Sequence, residues 1–449
     1  MNDDVRLERL FADGLHDIAP SRAPDRLRTQ VKTESSRVRP RPRWLALIKE
    51  SPMRSNSRLA VGSPTMRVAA IMVATLLAAL MVISAGIAGA QLLAADGPIV
   101  VDRSGGGHYT TITDAVEAAA DGDTVLIRPG TYTEAFVIDK DITLTGDGPV
   151  DRIIIEAPED GPQFSGLPSD FYALLLQDAG EATISGLTFR GEPSIVIISG
   201  GSPTIEDSVF DNVGWAYDGS NISPLGSSIV VAGESSALVS GNTLVDGGPI
   251  GVFGGSTPHV EGNTLTGGPH VYLANHGEGT VIEANDIDGT FRWGIGVFDF
   301  DPITIEGNTI TNPGDDGINF SSGSGIIRGN VISGAQLVGI IAGRGPATVA
   351  GNEFTDNRVA IAYSVAEGLI EDNTVVGGVA GIVVTGKSPL LRGNVVRGVE
   401  ERGIVVGTGT SPTLSGNTSC DNGTNLFIGE GATPTIDDTN EICEDAPAE

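Results

Sequence analysis

"GIVVTGKSPLLRGNVV", residues 381–396, packs three strand-like pieces and two turns into one short stretch. Ile382 to Val384 is a β-branched run, and Gly386 to Pro389 is a turn. Leu390-Leu391 opens a second strand, Gly393-Asn394 turns again, and Val395-Val396 opens a third. Strands this short form no independent sheet. Their partners come by repetition: "GNTLVDG", "GNTLTGG", "ANDIDG", "GNTITN", "GNVISG", "GNEFTDN", "DNTVVGG", "GNVVRG" and "GNTSCDN" follow one another from residue 242. The asparagines are Asn242, Asn263, Asn285, Asn308, Asn330, Asn352, Asn373, Asn394 and Asn417, at steps of 21, 22, 23, 22, 22, 21, 21 and 23 residues. A period this regular marks a repeat architecture. Each strand pairs with its counterpart in the next unit, which makes an all-β, right-handed parallel β-helix with coils about 4.8 Å apart.

The asparagine has a role in that picture. It tolerates the left-handed backbone of a sharp turn, and amides stacked coil on coil can bond along a ladder. Two places after it the residue is apolar in nearly every unit: Leu244, Leu265, Ile287, Ile310, Ile332, Phe354, Val375 and Val396 form an inward stack. Leucine-rich repeats have a similar period but need a signature and a helical segment that this chain lacks. Weaker copies stand upstream in "ATISGLTFRG" and "PTIEDSVFDN", interrupted by an insertion around Trp215 to Leu225. Ile112 to Ala120 reads as a short amphipathic helix that covers the open end of the first coil, followed by the strand Thr124 to Ile127. Asn440 continues the ladder. Cys420 and Cys443 each lie three places after an asparagine, so they stack in adjacent coils with Cα atoms about 5 Å apart, within disulfide reach. The alternative is two free thiols.

Composition agrees. The chain has 449 residues, of which 62 are Gly; aromatics make 5% and hydrophobic residues 40%. That much Gly excludes a helical protein, and that much apolar residue excludes low-complexity disorder. Charge divides the chain. Residues 1–67 hold 14 Lys+Arg against 8 Asp+Glu, a net of +6, and the remainder carries −36. Such an acidic body excludes nucleic acid and anionic lipid as partners.

Between Arg67 and Asp96 lie 28 uncharged residues, long enough to cross a bilayer. Three regions follow: a basic cytoplasmic segment over 1–66, a transmembrane helix over 67–95, and an extracytoplasmic β-helix over 96–449. The positive-inside rule places the N-terminus in the cytoplasm. The rival reading is a signal peptide starting at Met66 and cleaved after Ala88-Gly89-Ala90. Both readings export the body.

"DGDTVLIRPGTYTE" and "DITLTGDG", within His108 to Gly148, resemble the opening segment of right-handed β-helix families of the pectin-lyase-like superfamily. These include pectin methylesterases and the periplasmic copper-binding-type repeat proteins linked to nitrous-oxide reductase maturation. The asparagine units resemble the repeat of carbohydrate-binding and sugar-hydrolase β-helix domains. Together the resemblances cover nearly all of residues 99–443, and they imply fold more than activity. Residues 1–66 resemble basic juxtamembrane segments of bacterial single-span proteins.

"GDDGINFSSGS" is similar to the aspartate-pair motif of polygalacturonases, which implies Asp315 and Asp316 as carboxylates acting on a glycosidic bond. The family also needs an Asn-Thr-Asp one coil earlier, where this chain has Trp293-Gly294-Ile295. It needs a Gly-His-Gly one coil later, where this chain has "LVGIIAGRGP". It needs an Arg-Ile-Lys farther on, where only Lys387 stands. The alternative for the pair is an ordinary Asp-bonded turn. The pectin methylesterase and pectate lyase signatures are missing as well.

One coil before the pair, "FRWGIGVFDFDP" offers Asp299 and Asp301, which face the same way if the segment is extended. Trp293 and Phe298 offer a stacking platform for a sugar ring, and Trp215 a further aromatic. Four carboxylates on two coils suit Ca²⁺, the only cofactor the sequence suggests; the alternative is a charged loop. His259, His270 and His276 show no metal-ligand pattern and read as surface residues. Two functions stay open: a non-catalytic glycan-binding or structural element at the cell surface, and a polysaccharide hydrolase or lyase using Asp315 and Asp316.

Overall fold

The computed structural model describes residues 97–158, 161, 172–191, 195–213, 227–299, 301–365 and 367–445. The basic segment, the apolar stretch over 67–95 and Trp215 lie outside these residues. Among the described residues no helix is long and apolar enough to cross a membrane.

Three long parallel sheets run the length of the body: sheet A with 15 strands, sheet B with 14 and sheet C with 13, about fourteen coils in all. Each coil visits A, then B, then C. In the stretch that opened the sequence reading, Ala380–Val384 lies in sheet C, Leu390–Arg392 in sheet A and Val395–Arg397 in sheet B. The core is the space between the sheets. Leu244, Leu265, Ile287, Ile310, Ile332, Phe354, Val375 and Val396 fill its sheet B wall, each in register with the next and wholly buried.

The A-to-B corner holds the asparagine ladder. Each Asn turns its side chain inward, and its backbone N–H and Nδ2 both donate to Oδ1 of the Asn one coil on. From Asn330 to Asn352 these bonds are 3.0 and 2.9 Å, and Nδ2 also reaches the Ile305 carbonyl at 3.1 Å. The chain of amides runs from Asn242 to Asn440. The left-handed backbone expected at Asn belongs instead to the residue before it, as at Gly262 (φ +61°) and Gly393 (φ +66°). Where that residue is not Gly, Ala284 and Asp372 take the same conformation at +54° and +53°. The division has a physical cause. One residue absorbs the sharp turn, which frees the next to aim its amide into the core, where an unpaired polar group would cost about 1–3 kcal/mol.

The start of the body is closed by the helix Ile112–Ala118, two residues shorter than the sequence suggested. It buries Ile112, Ala115 and Val116. Glu134 accepts from the backbone N–H of Ile112 and Thr113 at 3.0 and 2.9 Å, and Lys140 Nζ donates to the carbonyls of Val116, Glu117 and Ala119. The two helix ends are thereby matched in charge. At the other end a disulfide joins Cys420 to Cys443 with Cα atoms 4.9 Å apart.

The outer faces differ. Sheets A and B carry polar residues outward along most of their length. The outer row of sheet C is apolar and buried at both ends of the body: Leu175, Ile197 and Val230 early, Ala362, Val383 and Val405 late.

Candidate functional site

The apolar outer row of sheet C is interrupted in the middle coils, where it reads Gly251, Tyr272, Gly296 and Asn319. Aromatic rings take the space the glycines leave. Phe253, Tyr272, Phe298 and Trp293 form a continuous run with successive centroids 5.8, 5.3 and 4.8 Å apart. A Cβ at Gly296 would lie 2.8 Å from Phe298 and 3.1 Å from Trp293, so any side chain there would displace both rings.

Trp293 and Asp316 hold equivalent places on adjacent coils, at the B-to-C corner. Gly294 N donates to the Asp316 carbonyl at 3.1 Å, and Asp315 N to the Arg292 carbonyl at 2.7 Å. Their side chains have different fates. Arg292 Nε donates to Asp315 Oδ2 at 3.1 Å, and its guanidinium lies over the Trp293 ring at 4.2 Å. Asp316 is only 3% exposed; its Oδ2 accepts from Asn319 Nδ2 at 2.9 Å, and its Oδ1 has no hydrogen-bond partner. Burial pushes Asp316 up to about 7, and the neighbouring Asp315 carboxylate adds to this. The Asn319 amide, the Val338 N–H and Arg292 oppose it. At neutral pH the group can therefore give or take a proton. Next in sequence to Arg292, Phe291 is 55% exposed; its ring lies against Gly268, one coil earlier.

Several expectations are corrected. The four carboxylates do not gather. Asp315 and Asp316 stand where the chain enters the sheet C strand Ile318–Phe320, whereas Asp299 stands where the chain leaves Ile295–Val297 one coil earlier. Asp299 and Asp301 are not places along one extended strand: a sheet C strand ends at Val297 and the next strand, in sheet A, begins at Pro302. Asp301 is exposed; Asp299 Oδ2 accepts from His276 N at 2.8 Å, and its Oδ1 lies 2.6 Å from His276 Nδ1. Trp293 is buried and cannot offer a face to a sugar; Phe298 is half-buried. Two of the three histidines are not on the surface. His276 is fully buried with no partner for Nε2, and His270 is buried beside the Gly268 carbonyl, where desolvation pulls it down to about 4. Phe291, Arg292 and Asn319 were not singled out as site residues. Their signal lay in aligning coils, since a step of 23 residues superposes Arg292 on Asp315 and Gly296 on Asn319.

Two overlapping stretches, 213–354 and 269–419, match the family model described as a right handed beta helix region. No curated protein matches the chain. Among solved structures, the catalytic unit of the GH87 α-1,3-glucanase from Streptomyces thermodiastaticus aligns at 15% identity with a TM-score of 0.51, over 73% of this chain and 64% of that one. The chain thus spans just under two thirds of the glucanase unit, and the likeness bears on the fold alone. The periplasmic alginate epimerase AlgG aligns at 15% identity and TM-score 0.39, over 70% of this chain and 77% of that one. PfbA, a surface adhesin of Streptococcus pneumoniae, aligns at 14% and 0.42, over 78% and 92%. The body is a right-handed parallel β-helix.

Proposed function

We propose that the body binds a glycan at the B-to-C corner formed by Phe291, Arg292, Asp315 and Asp316. In this reading it stands outside the cytoplasmic membrane, anchored by the apolar stretch over 67–95. One observation carries the reading: an exposed ring, that of Phe291 on Gly268, is next in sequence to Arg292, which pairs with Asp315 at the corner where Asp316 holds a buried carboxyl with an unpaired oxygen. A flat apolar face with hydrogen-bonding groups at its margin suits a sugar ring, which has one apolar face and a polar rim. The parallel coils extend the surface along the axis, as an elongated polymer requires.

The second reading is a hydrolase or lyase. What favours it is Asp316, a buried carboxyl held near 7 with one oxygen left without a hydrogen-bond partner. One screen separates the two. The purified full-length chain is titrated with a panel of neutral and acidic polysaccharides, while reducing ends and unsaturated products are assayed. Binding that Phe291→Ala weakens at least tenfold, with no turnover, supports the first reading. Turnover that Asp316→Asn abolishes replaces it with the second. Protection of residues 1–66 from externally added protease on intact cells tests the anchor.

A further inference from the structure

The outer face of sheet A carries a second cluster. His259–Glu261 pairs in register with Val281–Glu283 one coil on, so His259, Glu261 and Glu283 project from two adjacent, hydrogen-bonded strands. Nε2 of His259 lies 3.0 Å from Glu283 Oε1 and 3.3 Å from Glu261 Oε2. This nitrogen is closed off from solvent and makes an aligned hydrogen bond to neither oxygen. One ligand atom from each of the three residues falls within 4.8 Å of the others.

Two independent features point to a cation there. The first is spacing. Bonds of about 2.0–2.2 Å from a tetrahedral ion to nitrogen and oxygen place neighbouring ligand atoms roughly 3.3–3.5 Å apart. The two nitrogen–oxygen separations in the cluster already approach that value, and the strand register places the three residues side by side. The second is charge balance along the row. Glu261, Glu283, Glu306 and Arg328 are successive cross-strand neighbours. Glu306 is answered by Arg328 at 2.5 Å, and farther along Glu371 is answered by Arg392. Glu261 and Glu283 have no arginine directly opposite them in this row; an imidazole lies between them, and Arg328, paired with Glu306, reaches Glu283 only through its longer-range charge. Like charges directly opposite one another destabilise a sheet, and a divalent ion would remove that cost.

We propose that His259, Glu261 and Glu283 form a binding site for a divalent transition ion of the Zn²⁺ type, bridging two coils on the outer face of sheet A. The imidazole decides the class, since Ca²⁺ and Mg²⁺ take oxygen ligands. Three protein ligands leave a fourth position open to solvent. The three side chains are 35–40% exposed on the outer face of the sheet, with the imidazole nitrogen itself covered. The site is on a different sheet from the glycan corner and does not depend on it.

The test is calorimetric titration of Zn²⁺ into the full-length chain stripped with chelator, with Ca²⁺ in excess as competitor. The expected result is an equivalent of Zn²⁺ that Ca²⁺ does not displace, lost in His259→Ala and weakened at least tenfold in Glu283→Gln. A salt bridge without a metal role would leave Zn²⁺ stoichiometry the same in both variants, and that outcome overturns the proposal. Absence of Zn²⁺ uptake by the intact chain overturns it equally. Should His259→Ala not fold, Glu261→Gln and the visible d–d spectrum of Co²⁺ bound to the intact chain replace it. A spectrum of free aqueous Co²⁺ is then the overturning result.

Discussion

Sheets B and C are built from strands of similar length on the same coils, yet their outer faces obey different rules. In sheet B the outer row over the middle coils reads Thr243, Thr264, Asp286 and Thr309, while the inward row is apolar and buried throughout. In sheet C both faces are apolar at the two ends of the body, as in Ile197 and Ile198 or Val383 and Val384, all buried. A strand buried on both faces reads as a continuous apolar run, and one facing water alternates. The comparison shows where to look for function. A site on sheet C announces itself as a break in an apolar row, and the break falls at Gly251, Tyr272, Gly296 and Asn319.

The sharpest way to break the comparison is to place a charge in each row. Val230→Asp in sheet C should cost about 3–5 kcal/mol, because it buries a carboxylate without a partner. Thr243→Asp in sheet B should stay within about 1 kcal/mol. Equal losses in urea melts would erase the distinction between the faces.

Asp316→Asn comes next. The folded state holds its proton up to about pH 7, whereas the unfolded chain releases it near 3.8. Native protein therefore binds more protons between these values, and stability falls as pH rises from about 4 to about 7. The Asn variant should be more stable than the parent at pH 8, by up to about 4 kcal/mol, and no different at pH 4. Melting curves at both pH values check this.

His270 has the opposite sign. Its folded value of about 4 lies below the ordinary 6.5, so stability is lost as pH falls through that interval. His270→Gln should remove up to about 3 kcal/mol of acid sensitivity. The smallest expected effect on stability is that of Phe291→Ala, below about 1 kcal/mol because the ring is exposed. Its loss should appear in glycan binding alone, and a large drop in melting temperature would make the ring structural.

Much of this fold was legible from one dipeptide and its spacing. The strands at Thr124–Ile127, Leu390–Arg392 and Val395–Arg397 stand where turn residues and β-branched runs put them. The error at the ladder is instructive: "Gly-Asn" announces a left-handed turn without saying which residue takes it. The inward amide decides, because a buried side chain constrains its own backbone. Two-sided burial of sheet C is written in "GIVV" and "VGII", apolar runs that do not alternate. The site was half legible. Asp315-Asp316 could be seen because the two are adjacent in sequence. The contacts of Asp316 with Asn319, of Arg292 with Asp315, and of His259 with Glu283 could not, since two of them join residues a full coil apart and all depend on how corners turn.

The asparagine ladder also fixes how the molecule can change length. Coils vary from 21 to 23 residues, yet the Asn-to-sheet-B connection never varies, so the extra residues fall at the other corners. The segments 157–171, 191–194 and 212–228 all lie between a sheet B strand and the following sheet C strand. The amide row thus acts as a binding edge to which whole pages can be added or from which they can be taken. Excising residues 330–351 would bring Gly329 directly before Asn352 and leave each remaining amide facing another, one coil shorter. Growth by duplication of whole coils, with novelty kept to the corners other than the ladder, is a mode of change that this architecture permits without redesigning its interior.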